Sequence, residues 1–172
     1  MEIRQATEQD FSAIRALYDQ ARVFFRENGI NQWQKGYPED EILHADIASG
    51  TSYVAVEQGR VIAAFVATPQ KDPSYETITD GWWRLDQDYI AIHRVAVDNA
   101  CKGHGIGSQL IAYVEQEITG GKPCYLKADT HIDNKPMQRL LQKNGFRRAG
   151  IIRLARGSDR GAKRVAFEKI IK

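Results

Sequence analysis

From Phe11 onward, apolar positions recur at the spacing of one helical face: Phe11, Ile14, Leu17, Tyr18, Ala21 and Phe25, with the run ending near Gly29. Thr7 stands where an N-cap belongs, and Asp10 falls in the first turn. A second, shorter helix is predicted after Pro38, carrying Ile42, Ala45 and Ile47; the connector "INQWQKGY" between the two is polar and aromatic. The period then changes. "TSYVAVEQGRVIAAFVATP" reads as two strands rich in Val, Ile, Phe and Tyr around a tight turn at Gln58 and Gly59, an antiparallel hairpin. A long polar segment, residues 70–88, is punctuated by Pro73 and Gly81 before "YIAIHRVAV" resumes strand character. After a glycine-dense turn, Ile106, Leu110, Ile111, Val114 and Ile118 mark one face of a helix. "CYLKAD" is a short strand, residues 136–143 form a last helix stopped by Gly145, and "GIIRLAR" with "RVAFEKI" suggests a closing strand pair.

No repeat, linker or low-complexity stretch interrupts this order, and 172 residues fit one domain, expected to span residues 1–172. With 42% hydrophobic and 27% charged residues, the chain belongs with ordinary globular proteins. The net charge is only +2, and the basic residues are mostly interleaved with acids, which argues against a nucleic-acid partner. The basic stretch "RLARGSDRGAKR" reads as a charged turn between two strands, with Gly157 and Gly161 flanking its tip. No apolar run approaches the roughly 20 residues that span a bilayer, so no membrane partner is expected. Cys101 and Cys124 read as reduced thiols, and a cytoplasmic location is the expectation. The four histidines lack an H-x-x-x-H spacing and the cysteines lack C-x-x-C, so no metal is expected.

"HRVAVDNACKGHGIGSQLI", residues 93–111, carries the chemistry. A strand that enters a glycine turn and then a helix presents backbone N–H groups at the positive end of the helix dipole, where an anion such as phosphate binds. Spacing separates the phosphate turns. A P-loop needs Lys-Ser or Lys-Thr after its last glycine, and none follows Gly107; a dinucleotide turn needs G-x-G-x-x-G, whereas the glycines here stand at 103, 105 and 107. A pyrophosphate turn of the coenzyme A type and a plain strand-to-helix connection both remain open on spacing alone.

Lys102, Gly103, His104, Gly105, Ile106 and Gly107 resemble the [Q/R]-x-x-G-x-[G/A] turn of the GNAT superfamily of acyl-CoA-dependent N-acetyltransferases, with Lys in the first position. "NKPMQRLLQKNGF", residues 134–146, is similar to that family's last-helix pattern, and the element order matches over most of the chain. The resemblance implies an α/β (α+β) GNAT-like fold, a mixed, mostly antiparallel sheet of about six to seven strands flanked by about four helices. It implies acetyl-CoA as cosubstrate and a primary amine of a small molecule or peptide as acceptor. Val95, Ala96 and Val97 would pair with the pantetheine arm, the N–H groups of residues 102–107 would cradle the pyrophosphate with Ser108 just beyond, and Asn134 would help hold the coenzyme. Family members often form homodimers, but no interface is marked in this sequence.

The resemblance also sets expectations for catalysis. Asp129 stands where some members carry a carboxylate base on the fifth strand, and His93 and His131 are further base candidates because imidazole titrates near neutrality. Strand alternation puts His93, Val95 and Val97 on one face. Leu141 occupies the position of the family's acid tyrosine, so another group, with Tyr89, His93 and His131 as candidates, protonates the thiolate, or it leaves unassisted. That departure keeps open a second reading, a non-catalytic acyl-CoA sensor or scaffold. Trp33, Trp82, Trp83 and Tyr75 fall in the two irregular segments that border the acceptor in this family, where aromatics could clamp an amine, and Glu27, Asp72, Glu76 and Asp80 could recruit its ammonium group.

Overall fold

The structure, a computed structural model, describes residues 1–172. Its frame is one seven-stranded sheet: β1 (Glu2–Gln5), β2 (Ser52–Glu57), β3 (Arg60–Thr68), β4 (Ile90–Val97), β5 (Cys124–Thr130), β6 (Arg147–Arg153) and β7 (Lys163–Ile171), in spatial order β1-β2-β3-β4-β5-β7-β6. Every neighbouring pair is antiparallel except β4–β5. That pair is parallel because α3 (Ile106–Tyr113), continued by a wide π turn over Val114–Ile118, carries the chain back between them.

Helices cover both faces. On one, α3 and α4 (Lys135–Lys143) bury Ile106, Leu110, Ile111, Val114 and Leu141 against Phe65, Ile92, Leu126 and Phe167. Complete burial of side chains such as these stabilises by about 1.5–3 kcal/mol each. On the other, α1 (Phe11–Glu27) and α2 (Asp40–Ala48) set Ile14, Leu17, Tyr18, Phe25, Leu43 and Ile47 over Val54, Ala64 and Ala96. These two helices leave part of their face open, and the 70–88 segment covers it through Tyr75 and Trp83, packed with Tyr89, Ala91, Tyr125 and Ile152.

Two glycines let that segment reach the sheet. Thr79 and Ile151 exchange backbone hydrogen bonds of 2.8 and 2.7 Å. A Cβ on Gly81, whose φ is +148°, would lie 1.9 Å from the Ala149 carbonyl oxygen, and one on Gly150 would lie 2.6 Å from that of Thr79.

The predicted elements are present, with three differences. β1, with a single strongly apolar residue (Ile3), pairs at the sheet edge with β2 and carries no periodic signal. Thr7 precedes a single 3-10 turn, Glu8–Asp10, and α1 starts at Phe11; Asp10 is held back by the Thr7 N–H (2.8 Å) and by Arg4. The closing strands begin at Arg147 and Lys163 rather than at 150 and 164. No helix is long and apolar enough to cross a membrane.

Candidate active site

The site begins where β4 and β5 part. They pair only from Ile90–Ile92 against Leu126–Ala128; beyond Ile92, the β5 side of β4 has no strand partner. Unpaired strand edges invite an added strand. On its other side β4 bulges, since Val66 pairs with His93 while Ala64 pairs with Ala96, so β4 spends one more residue than β3. Arg94 takes up the excess in a left-handed conformation, φ +51°. The bulge breaks the expected alternation. Val95 and Val97 pack towards the α3 side, whereas His93 and Arg94 line the cavity on the α2 side.

A cavity of about 400 Å³ opens at the gap. Val95, Ala96, Val97, Lys102, Gly103, Gly105, Ile106, Gly107, Ser108 and Asn134 all line it. The three glycines act differently. Gly103 and Gly105 have φ of +84° and +79°, open to glycine at little cost, and the space a Cβ would fill is empty at both. Gly107 instead lets α3 approach α4, because a Cβ there would lie 2.8 Å from Leu140. The N–H groups of residues 103–108 make no backbone hydrogen bond, and the first helical bond runs from Gln109 to Gly105 (3.2 Å). A row of free donors at a helix N-terminus fits a pyrophosphate. Ser108 accepts from the Asn144 side chain (3.0 Å), and Lys102 rests its ammonium 3.4 Å from the Phe24 ring centroid.

A second cavity, about 480 Å³, lies between α2, the 28–39 connector and the 70–88 segment, lined mainly by polar and charged side chains. Gln32, Trp33, Arg94 and Asp129 line both cavities. Asp129 accepts from the Tyr75 hydroxyl at 2.8 Å and lies 3.9 Å from His93 Nδ1, while His93 Nε2 lies 3.7 Å from Asp72. Burial pushes Asp129 above the usual carboxylate range, against the pull of His93 and Tyr75. Burial, aided by Arg94, also lowers His93, which favours neutral imidazole. An aspartate and a neutral histidine are both groups able to take up a proton, and they meet at the junction.

The other candidates divide. His131 lines neither cavity; its Nδ1 accepts from the Asp133 N–H (3.2 Å) and its backbone N–H donates to Gln32 (3.4 Å). The His104 ring is exposed, turned to the Cys101 carbonyl (3.3 Å), so only its backbone belongs to the turn. Tyr89 accepts from the Asp72 N–H (2.8 Å). Leu141 is fully buried in the core, and its neighbour Leu140 lines the smaller cavity. Trp82 is exposed, and Trp83 lies over Lys127 Nζ at 4.1 Å; of the four aromatics, only Trp33 lines a cavity. Asp80 pairs with Arg148 on the surface, and Glu27 and Glu76 are exposed.

Two junction residues escape sequence reasoning. Arg94 is bound to Asp46 at 2.8 Å and to the Tyr37 hydroxyl; an arginine inside an apolar strand is a signal that could have found it. Gln32 lies in a connector with no periodicity, and no local signal marks it.

Comparison with known proteins agrees with this geometry. The model of the acetyltransferase (GNAT) family matches residues 13–146. A GNAT-family acetyltransferase structure from Streptococcus agalactiae superposes with a TM-score of 0.88 at 30% identity, covering 99% of this chain and 95% of that one. The uncharacterized N-acetyltransferase YesJ of Bacillus subtilis is 22% identical over 82% of this chain and 78% of its own. A phosphinothricin acetyltransferase from Sinorhizobium meliloti, solved with acetyl-CoA, shares the fold: TM-score 0.67 at 16% identity, covering 99% of this chain and 88% of that one.

Proposed function

Because the chain belongs to the GNAT family of acetyltransferases, we propose that it transfers the acetyl group of acetyl-CoA to a primary amine of a small molecule or peptide, by direct attack on the thioester. The position of Asp129, shared by both cavities where β4 and β5 separate, carries this reading.

The smaller cavity suits the coenzyme. The free N–H groups of residues 103–108 are donors for its pyrophosphate, and the open edge of β4 at Val95, Ala96 and Val97 offers peptide groups to the pantetheine arm. Asn134 caps α4 by accepting from the Met137 N–H (3.1 Å), which holds the cavity wall in place. Acetyl-CoA, when bound, supplies an activated acyl carbon and a thiolate leaving group.

The larger cavity receives the amine. An ammonium must lose its proton before it can attack, and the Asp129–His93 pair accepts it. The N–C bond then forms as the C–S bond breaks, the bonding pair leaves with sulfur as thiolate, and the second proton on the new amide nitrogen is released to water. With Leu140 facing the cavity and Leu141 in the core, α4 gives no acid; a thiolate, far less basic than an alkoxide or amide anion, tolerates unassisted departure. Holding both reactants in line contributes up to about 7–11 kcal/mol of barrier reduction. The polar lining of the acceptor cavity favours turnover over a non-catalytic acyl-CoA sensor.

The test is release of CoA thiol, with mass detection of acetylated product, from acetyl-CoA and a panel of polyamines, amino acids, aminoglycosides and short peptides. One class should turn over, and Asp129→Asn should cut its rate by roughly 10²–10⁴-fold. Full activity in Asp129→Asn would remove the base from this account.

A further inference from the structure

Gln32 is buried, 7% exposed, and lines both cavities. Its carboxamide is pinned by one end. Oε1 accepts from Asn134 Nδ2 (2.9 Å), Thr130 Oγ1 (3.3 Å) and the His131 N–H (3.4 Å). Three donors converging on one atom fix which end is oxygen and leave Nε2, which has no acceptor among the protein's hydrogen bonds, on the cavity side. Its neighbour Trp33 is held at φ +62°, a left-handed conformation costly for a bulky residue. That backbone is locked by the Trp33 ring, packed edge-on against Tyr18 and Phe25, and by a 3.4 Å bond from its N–H to Asp159. Strain stored next to an oriented, half-used amide at a cavity junction points to function.

We propose that Gln32 Nε2 is a hydrogen-bond donor to the thioester carbonyl oxygen, the atom on which negative charge develops as the amine attacks. The inference rests on acetyl-CoA occupying the smaller cavity. A rigid N–H donor aimed at such charge stabilises it without reorganising. The anchoring of Oε1 by residues 130–134 ties this donor to the start of α4, so one segment sets both the coenzyme wall and the carbonyl contact. Asp129, adjacent to this segment, holds the other role at the junction: Gln32 stabilises the oxygen and Asp129 takes the proton.

Two variants separate donor from anchor. Gln32→Glu keeps an acceptor at Oε1 for its three donors and loses the N–H; Gln32→Met removes both at similar size. The readout is the carbonyl stretch of acetyl-CoA labelled with ¹³C at the thioester carbon, bound to each protein, alongside the CoA dissociation constant by calorimetry. The proposal expects a lower carbonyl frequency in wild type than in both variants. It also expects Gln32→Glu to bind CoA within about threefold of wild type, while kcat falls roughly 10²–10³-fold with any amine that turns over. An unchanged carbonyl frequency in a variant that still binds acetyl-CoA overturns it, as does weakened CoA binding with no spectral change, which marks Gln32 as an anchor only. If wild type fails to bind acetyl-CoA, the coenzyme reading falls and takes this inference with it.

Discussion

The hydroxyl of Tyr75 donates to Asp129 at 2.8 Å, tying the 70–88 segment to the carboxylate that both cavities share. That bond favours ionised Asp129 and opposes the burial that pushes its pKa up. Tyr75→Phe therefore raises the Asp129 pKa further. The acid limb of the pH–rate profile should move to higher pH, with the alkaline plateau little changed; a limb that stays in place would detach Tyr75 from the proton acceptor.

Stability carries the opposite sign at the same residue. Asp129 titrates above its unfolded value, so between the two values the native state binds more protons than the unfolded chain, and stability falls as pH rises through that window. Above it, the cost of burying the charge is paid in full. Asp129→Asn should melt at a higher temperature than wild type at pH 7, with the gap closing as pH drops below the unfolded value near 4. A lower midpoint at pH 7 would mean that the charge is stabilising where it sits.

Asp10 supplies the contrast. Its hydrogen bond with Arg4 holds it down at about 2, so its contribution is present above the unfolded pKa and lost as pH falls towards 2. Asp10→Asn should destabilise at pH 7 and match wild type near pH 2 in thermal or urea unfolding.

Gly81→Ala places a methyl against the Ala149 carbonyl, where only backbone movement can relieve the clash. It should cost more than about 2 kcal/mol by denaturant unfolding and loosen the 70–88 segment, exposing the Thr79 and Ile151 amides to hydrogen exchange. Gly103→Ala meets no neighbour and should cost only its left-handed strain, about 1–2 kcal/mol.

Leu141→Tyr tests whether the family's phenol can simply be restored. Leu141 is fully buried, so the added ring overpacks the core at a cost of about 1–3 kcal/mol, measurable as a lower midpoint. Turnover should not rise; a faster enzyme would show that position 141 reaches the leaving group.

The layered architecture could be read from the chain because long periodic segments declare their faces: the stripe from Ile14 to Phe25 and the run from Ile106 to Val114 both bury as the pattern demands. The glycine turn was legible for the same local reason, since spacing alone excludes the other phosphate loops. β1 was not, because an edge strand buries too little to need alternation. Nor was the bulge at Arg94. "YIAIHRVAV" is apolar except for His93 and Arg94, and the extra residue shows only when β3 is laid beside it, moving His93 off the face of Val95 and towards Asp129. Gln32 is the extreme case. Its partners, residues 130, 131 and 134, lie about a hundred positions away, so its role exists only in the folded chain.

The most direct test of the central claim, a coenzyme held at the β4–β5 gap, is thermal unfolding with acetyl-CoA, using NAD and ATP at equal concentration as controls. Ligand at 100 times its dissociation constant adds about 2.7 kcal/mol, and each kcal/mol moves the midpoint by about 2–4 °C at this size. The account predicts an upward shift of several degrees with acetyl-CoA and much less with either control. No shift with acetyl-CoA, or an equal one with NAD, would contradict it.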